Sequence, residues 1–158
     1  MSSTIGKKYD FNGKVALITG SSSGIGAAIA LQLAEYGARV TITGRDVETL
    51  RMVGKEIEDK SGNRPLQIIG DLIDSTLPVK LIEETVKEFG RLDFLVNNAG
   101  IATAAQNLSS ENFMDEFDKV FAINVRAAVQ LIRLSVPYLE KTKGNIVNIS
   151  SIASLSTV

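Results

Sequence analysis

The sequence contains no cysteine, no histidine and no tryptophan, and only three prolines in 158 residues. Without imidazole or thiol there is no Ser-His-Asp triad, no thiolate nucleophile, no disulfide and no nitrogen–sulfur zinc site, so no metal is expected and any chemistry must use other groups. Charge of one sign is not in excess either: 17 Lys+Arg stand against 18 Asp+Glu, a formal net charge of −1. Nucleic-acid and anionic-membrane binders normally show a basic excess or a basic run, so no nucleic-acid partner is expected. Residues 1–11 lack the apolar core of a secretory signal, and no stretch reads as the ~20-residue apolar run of a membrane span. These readings lead to the expectation of a soluble, cytoplasmic chain without membrane insertion.

What is present is an ordinary globular composition, 44% apolar and 22% charged, at the length of one domain. Short β-favouring runs at 15–19, 40–43, 66–69, 92–96 and 146–149 alternate with helical spacing at 25–36, 47–59 and 79–89 and a long helical region from about 111 to 141. Gly37 stops the first helix and Asp46 is a candidate N-cap for the second. Continuous apolar strands separated by helices predict a Rossmann-like α/β domain, a doubly wound parallel sheet covered on both faces, as one unit over residues 1–158. In the long helical region Val120, Phe121, Ile123, Val125, Val129, Leu131, Ile132, Leu134 and Val136 go most of the way round the cylinder. One side is expected on the sheet and the other on a partner subunit or a further part of the same chain.

Thr19-Gly20-Ser21-Ser22-Ser23-Gly24-Ile25-Gly26 lies between the first strand and the first helix. Glycines there let the backbone approach a phosphate closely, while the helix N-terminus offers free N–H groups and a positive dipole end. A P-loop would place Lys and then Ser or Thr after its last glycine; Ala27 and Ala28 stand there instead, which argues against a nucleoside triphosphate. After the second strand the chain reads Thr43-Gly44-Arg45-Asp46. An NAD site carries an acid about 20 positions on from its glycine turn, whereas a 2′-phosphate calls for a cation. Gly44 takes the acid's place and Arg45 brings a guanidinium suited to phosphate, so NADP(H) is expected in preference to NAD(H), which stays possible. Asn97-Asn98-Ala99-Gly100 after the fourth strand is a candidate ligand-lining turn, although Asn-Gly also turns without any ligand, and Asp71 after the third strand could cap the next segment. On spacing alone Asn124, amid apolar neighbours, reads as a satisfied core amide.

These motifs, in this order, resemble the short-chain dehydrogenase/reductase family: the glycine turn, the Asn-Asn-Ala-Gly segment, the helix asparagine Asn124, and Gly144-Asn-Ile-Val-Asn-Ile-Ser150-Ser151 running into an active-site serine. The resemblance covers the chain and implies strand order 3-2-1-4-5, with later strands missing. It implies cofactor contacts from Thr19, Gly20, Ser22, Ser23, Gly24, Ile25, Gly26, Arg45, Asp71, Leu72, Asn98, Ala99 and Gly100. Ser151, or Ser150 as the alternative, is then expected to hydrogen-bond the substrate oxygen, and Asn124 to order a water in a proton relay. The implied activity is hydride transfer between NADP(H) and a small-molecule carbonyl or secondary alcohol, in a parent protein that is a homodimer or homotetramer.

The family's acid/base is a Tyr with a Lys four residues later, whose cation stabilises the phenolate. Here Tyr9, Tyr36 and Tyr138 are followed at that position by Gly13, Val40 and Thr142. The pair belongs downstream of the serine, and the chain is expected to be the cofactor-binding N-terminal portion of a reductase, inactive alone, with residues 146–149 left as an association-prone sheet edge. Two further readings are a naturally short, non-catalytic nucleotide-binding or interaction protein, and a C-terminal ligand for a PDZ-type domain in Ser156-Thr157-Val158.

Overall fold

The computed structural model describes residues 9–102 and 107–151; the candidate C-terminal ligand lies outside them. The strands β1 (Val15–Ile18), β2 (Arg39–Gly44), β3 (Leu66–Ile69), β4 (Phe94–Asn97) and β5 (Asn145–Asn148) form one parallel sheet in the order β3-β2-β1-β4-β5. Successive side chains of a strand point to opposite faces, and β1 feeds two cores accordingly. Ala16 and Ile18 meet Val40 and Ile42 of β2 and the helices α1 (Gly24–Glu35) and α2 (Val47–Ser61) on one face. Val15 and Leu17 meet Leu95 of β4 and α3 (Leu77–Phe89) on the other.

Local signals set most boundaries. Asp46 caps α2, its Oδ1 accepting from Thr49 N at 2.8 Å. Gly62 and Gly90 close α2 and α3 in the left-handed conformation that glycine adopts without strain. The third helix begins at Leu77 rather than at 79, because Pro78 sits in its first turn, where a missing N–H costs nothing. Strand β4 starts at Phe94; Leu92 and Asp93 precede it as buried connections.

The long helical region is three pieces: α4 (Phe113–Phe121), a π-helical turn (Ala122–Ala127) and α5 (Ala128–Thr142). Its inner side, Ile123, Ala127, Leu131, Ser135 and Leu139, is buried, with Leu131 and Leu139 in the core shared with α3 and β4. The outer side exposes Met114, Phe117, Phe121, Val125, Val129 and Val136 as a continuous stripe. By length and composition the 30-residue stretch Phe113–Thr142 is apolar enough to cross a membrane, which corrects the sequence expectation that no stretch is. The same composition serves a helix that packs one side on a sheet, and the buried row from Ile123 to Leu139 is that use. Strand β5 is the sheet edge, exposed along its whole length.

Candidate functional site

The sheet register brings four turns to one edge. Ile18 pairs with Ile42 and Val96, Gly44 with Ile69, and Asn97 with Asn148, so the chain leaves β1, β2, β3 and β4 at neighbouring points. The strand order reverses between β1 and β4, and in open α/β sheets ligands bind in the crevice outside the carboxyl ends at such a point. A cleft opens there, lined by Gly20, Ser22, Ser23, Thr43, Gly44, Arg45, Gly70, Asp71, Leu72, Asn98, Ala99, Gly100, Ile101 and Ile123.

Most of the cofactor residues expected from sequence therefore share one cleft; Thr19 and Gly26 support it through Asn98 and Gly20, while Gly24 and the exposed Ile25 are not among its lining residues. The Thr19 hydroxyl is buried and accepts from Asn98 N and Ala99 N, each at 3.0 Å. Asn98 answers with Nδ2, donating to Thr19 O at 2.9 Å and Gly20 O at 3.0 Å. These reciprocal bonds clamp the β1–α1 turn to the segment after β4. Gly20 is required twice over: its φ is +61°, and a Cβ there would lie 2.8 Å from Ala99 Cα. Gly26 leaves no room for a side chain against Asn98 and Gly20. Ser23, at the cleft, is the N-cap of α1 with an extended backbone and no side-chain cap bond, so the first N–H groups of α1 lack that partner.

Ser21, not singled out from the sequence, ties this turn to β2. Its Oγ donates to Ile18 O at 2.8 Å and accepts from Thr43 N at 2.9 Å. Thr43 Oγ1, buried beside it, has no hydrogen-bond partner among the described residues. Across the cleft Arg45 lies 68% exposed, its Nη1 3.8 Å from Asp71 Oδ2. Asp71 Oδ1 accepts from Ile73 N at 3.1 Å, and Leu72 packs against the core.

Asn124 falls in the π-helical turn, a distortion that recurs at functional sites. It is exposed rather than a core amide, which corrects the reading from spacing. Its Oδ1 accepts from Ile101 N at 2.9 Å and its Nδ2 donates to Ile101 O at 2.8 Å, pinning the backbone beyond Gly100. Ser150 and Ser151 follow β5 at the same sheet edge, both exposed. The tyrosines are elsewhere. Tyr9 and Tyr36 form an aromatic cluster with Phe11, which stacks edge-on to Phe94 at the amino end of β4; Tyr138 packs on the core from α5.

A glycine cradle across β1 and β4, clamped by Thr19 and Asn98, in a chain whose family model, short chain dehydrogenase, matches residues 14–158, decides the family. This chain belongs to the short-chain dehydrogenases. It is 40% identical to rat L-fucose dehydrogenase over 142 residues, which is 90% of this chain and 50% of that protein. Among solved structures, a metagenomic short-chain oxidoreductase in complex with NADP superposes with a TM-score of 0.86 at 40% identity, over 94% of this chain and 66% of that one. L-sorbose reductase from Gluconobacter frateurii, complexed with NADPH and L-sorbose, superposes at 0.84 with 33% identity, over 92% of this short-chain dehydrogenase and 55% of its own chain. The chain spans about half the length of the curated relatives it matches.

Proposed function

We propose that residues 1–158 form the nucleotide-binding portion of an oxidoreductase that takes NADP(H) in preference to NAD(H) and interconverts a carbonyl and a secondary alcohol. The observation that carries this reading is the closed approach of Gly20 and Gly26 to the segment Asn98–Ala99, a cradle that any Cβ would fill. In it, the Gly20–Gly26 turn and the N-terminus of α1 hold the pyrophosphate. Asp71 and Leu72 flank the adenine, and Asn98, Ala99 and Gly100 line the nicotinamide side. Arg45 offers its guanidinium to the 2′-phosphate, and Gly44 withholds the acid that would contest it. Bound dinucleotide supplies or accepts the hydride.

Ser151 is proposed to donate a hydrogen bond to the substrate oxygen, with Ser150 as the alternative. Asn124, by fixing Ile101 and by its place in the π-helical turn, is proposed to hold a water near that oxygen. None of Tyr9, Tyr36 and Tyr138 carries the required lysine, so these residues alone are proposed to bind nucleotide without turnover. The exposed stripe from Met114 to Val136 is proposed to pack on a second copy in a homo-oligomer, as the resemblance implies.

Titration with NADPH and NADH, followed by nucleotide fluorescence, tests the cofactor reading. Arg45→Ala is expected to weaken NADPH by about 10- to 100-fold, the range for a hydrogen bond to a charged group, and NADH little. Equal loss of both nucleotides would overturn the NADP(H) preference, and no affinity for either would overturn the site.

A further inference from the structure

Gly44 stands where an NAD site carries its acid, and the structure shows what keeps it a glycine. It is not among the residues with positive φ, so its backbone would accept any side chain. The obstacle is a neighbour: a Cβ on Gly44 would lie 2.5 Å from Ser22 Oγ and 2.6 Å from Ser22 Cβ. The next atom, Ser22 Cα, is 3.7 Å away, ordinary contact, so one side chain is the whole obstruction. Ser22 has no easy retreat. The preceding residue is locked to β1 and β2 through Ser21 Oγ, and Ser21 N donates to Thr43 O at 2.9 Å.

We propose that Ser22 is a specificity-determining residue: by filling the space beside Gly44 it excludes an acid from the end of β2, and so reserves that end of the cleft for Arg45 and a phosphorylated ribose. The inference rests on the cofactor reading above and adds to it a residue from the β1–α1 turn. Cofactor choice then depends on a pair of positions, 22 and 44, and cannot be changed at position 44 alone.

Thermal melting tests the pair without nucleotide. Gly44→Ala adds only the Cβ and is expected to lower Tm by roughly 2–10 °C, as overpacking does. Ser22→Gly in the same chain is expected to restore most of that loss, and Ser22→Ala, which keeps its Cβ, to restore little. In nucleotide titrations Gly44→Asp is expected to lose NADPH and NADH alike, whereas Gly44→Asp with Ser22→Gly regains NADH and binds NADPH at least about tenfold more weakly than the wild type. A Gly44→Ala chain that melts with the wild type, or a Gly44→Asp chain that turns to NADH unaided, would overturn the proposal. A chain that shows the melting loss and its rescue but binds neither nucleotide would overturn the cofactor reading and leave the exclusion at position 44 standing.

Discussion

The two ends of the sheet solve opposite problems. At the amino end Asp93, its side chain 2% exposed, receives Arg91 Nε and Nη2 at 2.8 and 2.7 Å, Lys14 Nζ at 3.3 Å and Val15 N at 3.0 Å. Its capacity is filled, and the aromatic group of Tyr9, Phe11, Tyr36 and Phe94 packs at the same end. At the carboxyl end the glycines hold backbone close to backbone, and Thr43 Oγ1 and Asn97 Oδ1 are buried with no partner among the described residues. Saturated polar groups make a rigid base. Buried polar groups left without a partner are normally the exception, and of these two Thr43 lines the cleft.

The sharpest way to break this contrast is at Gly20. Gly20→Ala combines a left-handed φ of +61° with a Cβ 2.8 Å from Ala99 Cα. A strained backbone and an overpacked contact together are expected to cost about 2–5 kcal/mol. Chemical denaturation and nucleotide titration read it: stability should fall and NADPH binding should be lost. If the variant keeps wild-type stability, the clamp between β1 and β4 is not what shapes the cleft.

At the other end the expected effect is smaller and depends on pH. Burial alone would raise the Asp93 carboxyl, but the Arg91 fork, the Val15 N–H and Lys14 outweigh it and hold it below the ordinary carboxylate value. A depressed pKa in the folded state stabilises fully above the unfolded value, near 3.9, and that contribution disappears as pH falls through the folded value. Asp93→Asn is expected to cost about 2 kcal/mol at neutral pH. This is less than for a fully buried pair, because Lys14 and Arg91 are 40% and 41% exposed. Below about pH 4 the difference from wild type should shrink. A difference that stays constant with pH would mean that Asp93 acts through packing rather than charge.

These particulars show which parts of the molecule were legible in the sequence. The element sequence and the parallel sheet follow from apolar runs such as residues 15–18, which are buried on both faces and so carry no polar alternation, whereas the strand order comes from the family resemblance. The glycine turn was legible because φ and close approach leave a residue-type signature. The π-helical turn was not, since one residue added to a helical turn alters no composition. Asn124 was misplaced as a core amide for the same reason: the widened turn sets it on the exposed side, against Ile101. The Asp93 knot and the contact of Ser22 with Gly44 join residues brought together only by the sheet, as Lys14 and Asp93 are across 79 positions. The apolar run of β5 was legible as a strand like the others, and its Ile146 and Val147 are 37% and 46% exposed.

The smallest expected effect sharpens the cleft end itself. Asp71 Oδ2 stands 3.8 Å from Arg45 Nη1, with the two side chains 40% and 68% exposed, so the pair is a weak surface interaction. A 2′-phosphate at Arg45 has to compete with that carboxylate and is repelled by it. Asp71→Asn keeps an acceptor for Ile73 N, the bond that shapes the turn, while removing the charge. NADPH affinity is therefore expected to rise by about two- to fivefold and NADH affinity to change less, the gain shrinking with added salt as an exposed charge effect should. Paired titrations at low and high ionic strength measure it. If Asp71→Asn instead weakens both nucleotides equally, the Asp71 charge contributes to the adenine contact proposed above and does not bear on the choice of ribose, and Arg45 selects the phosphate without a competitor.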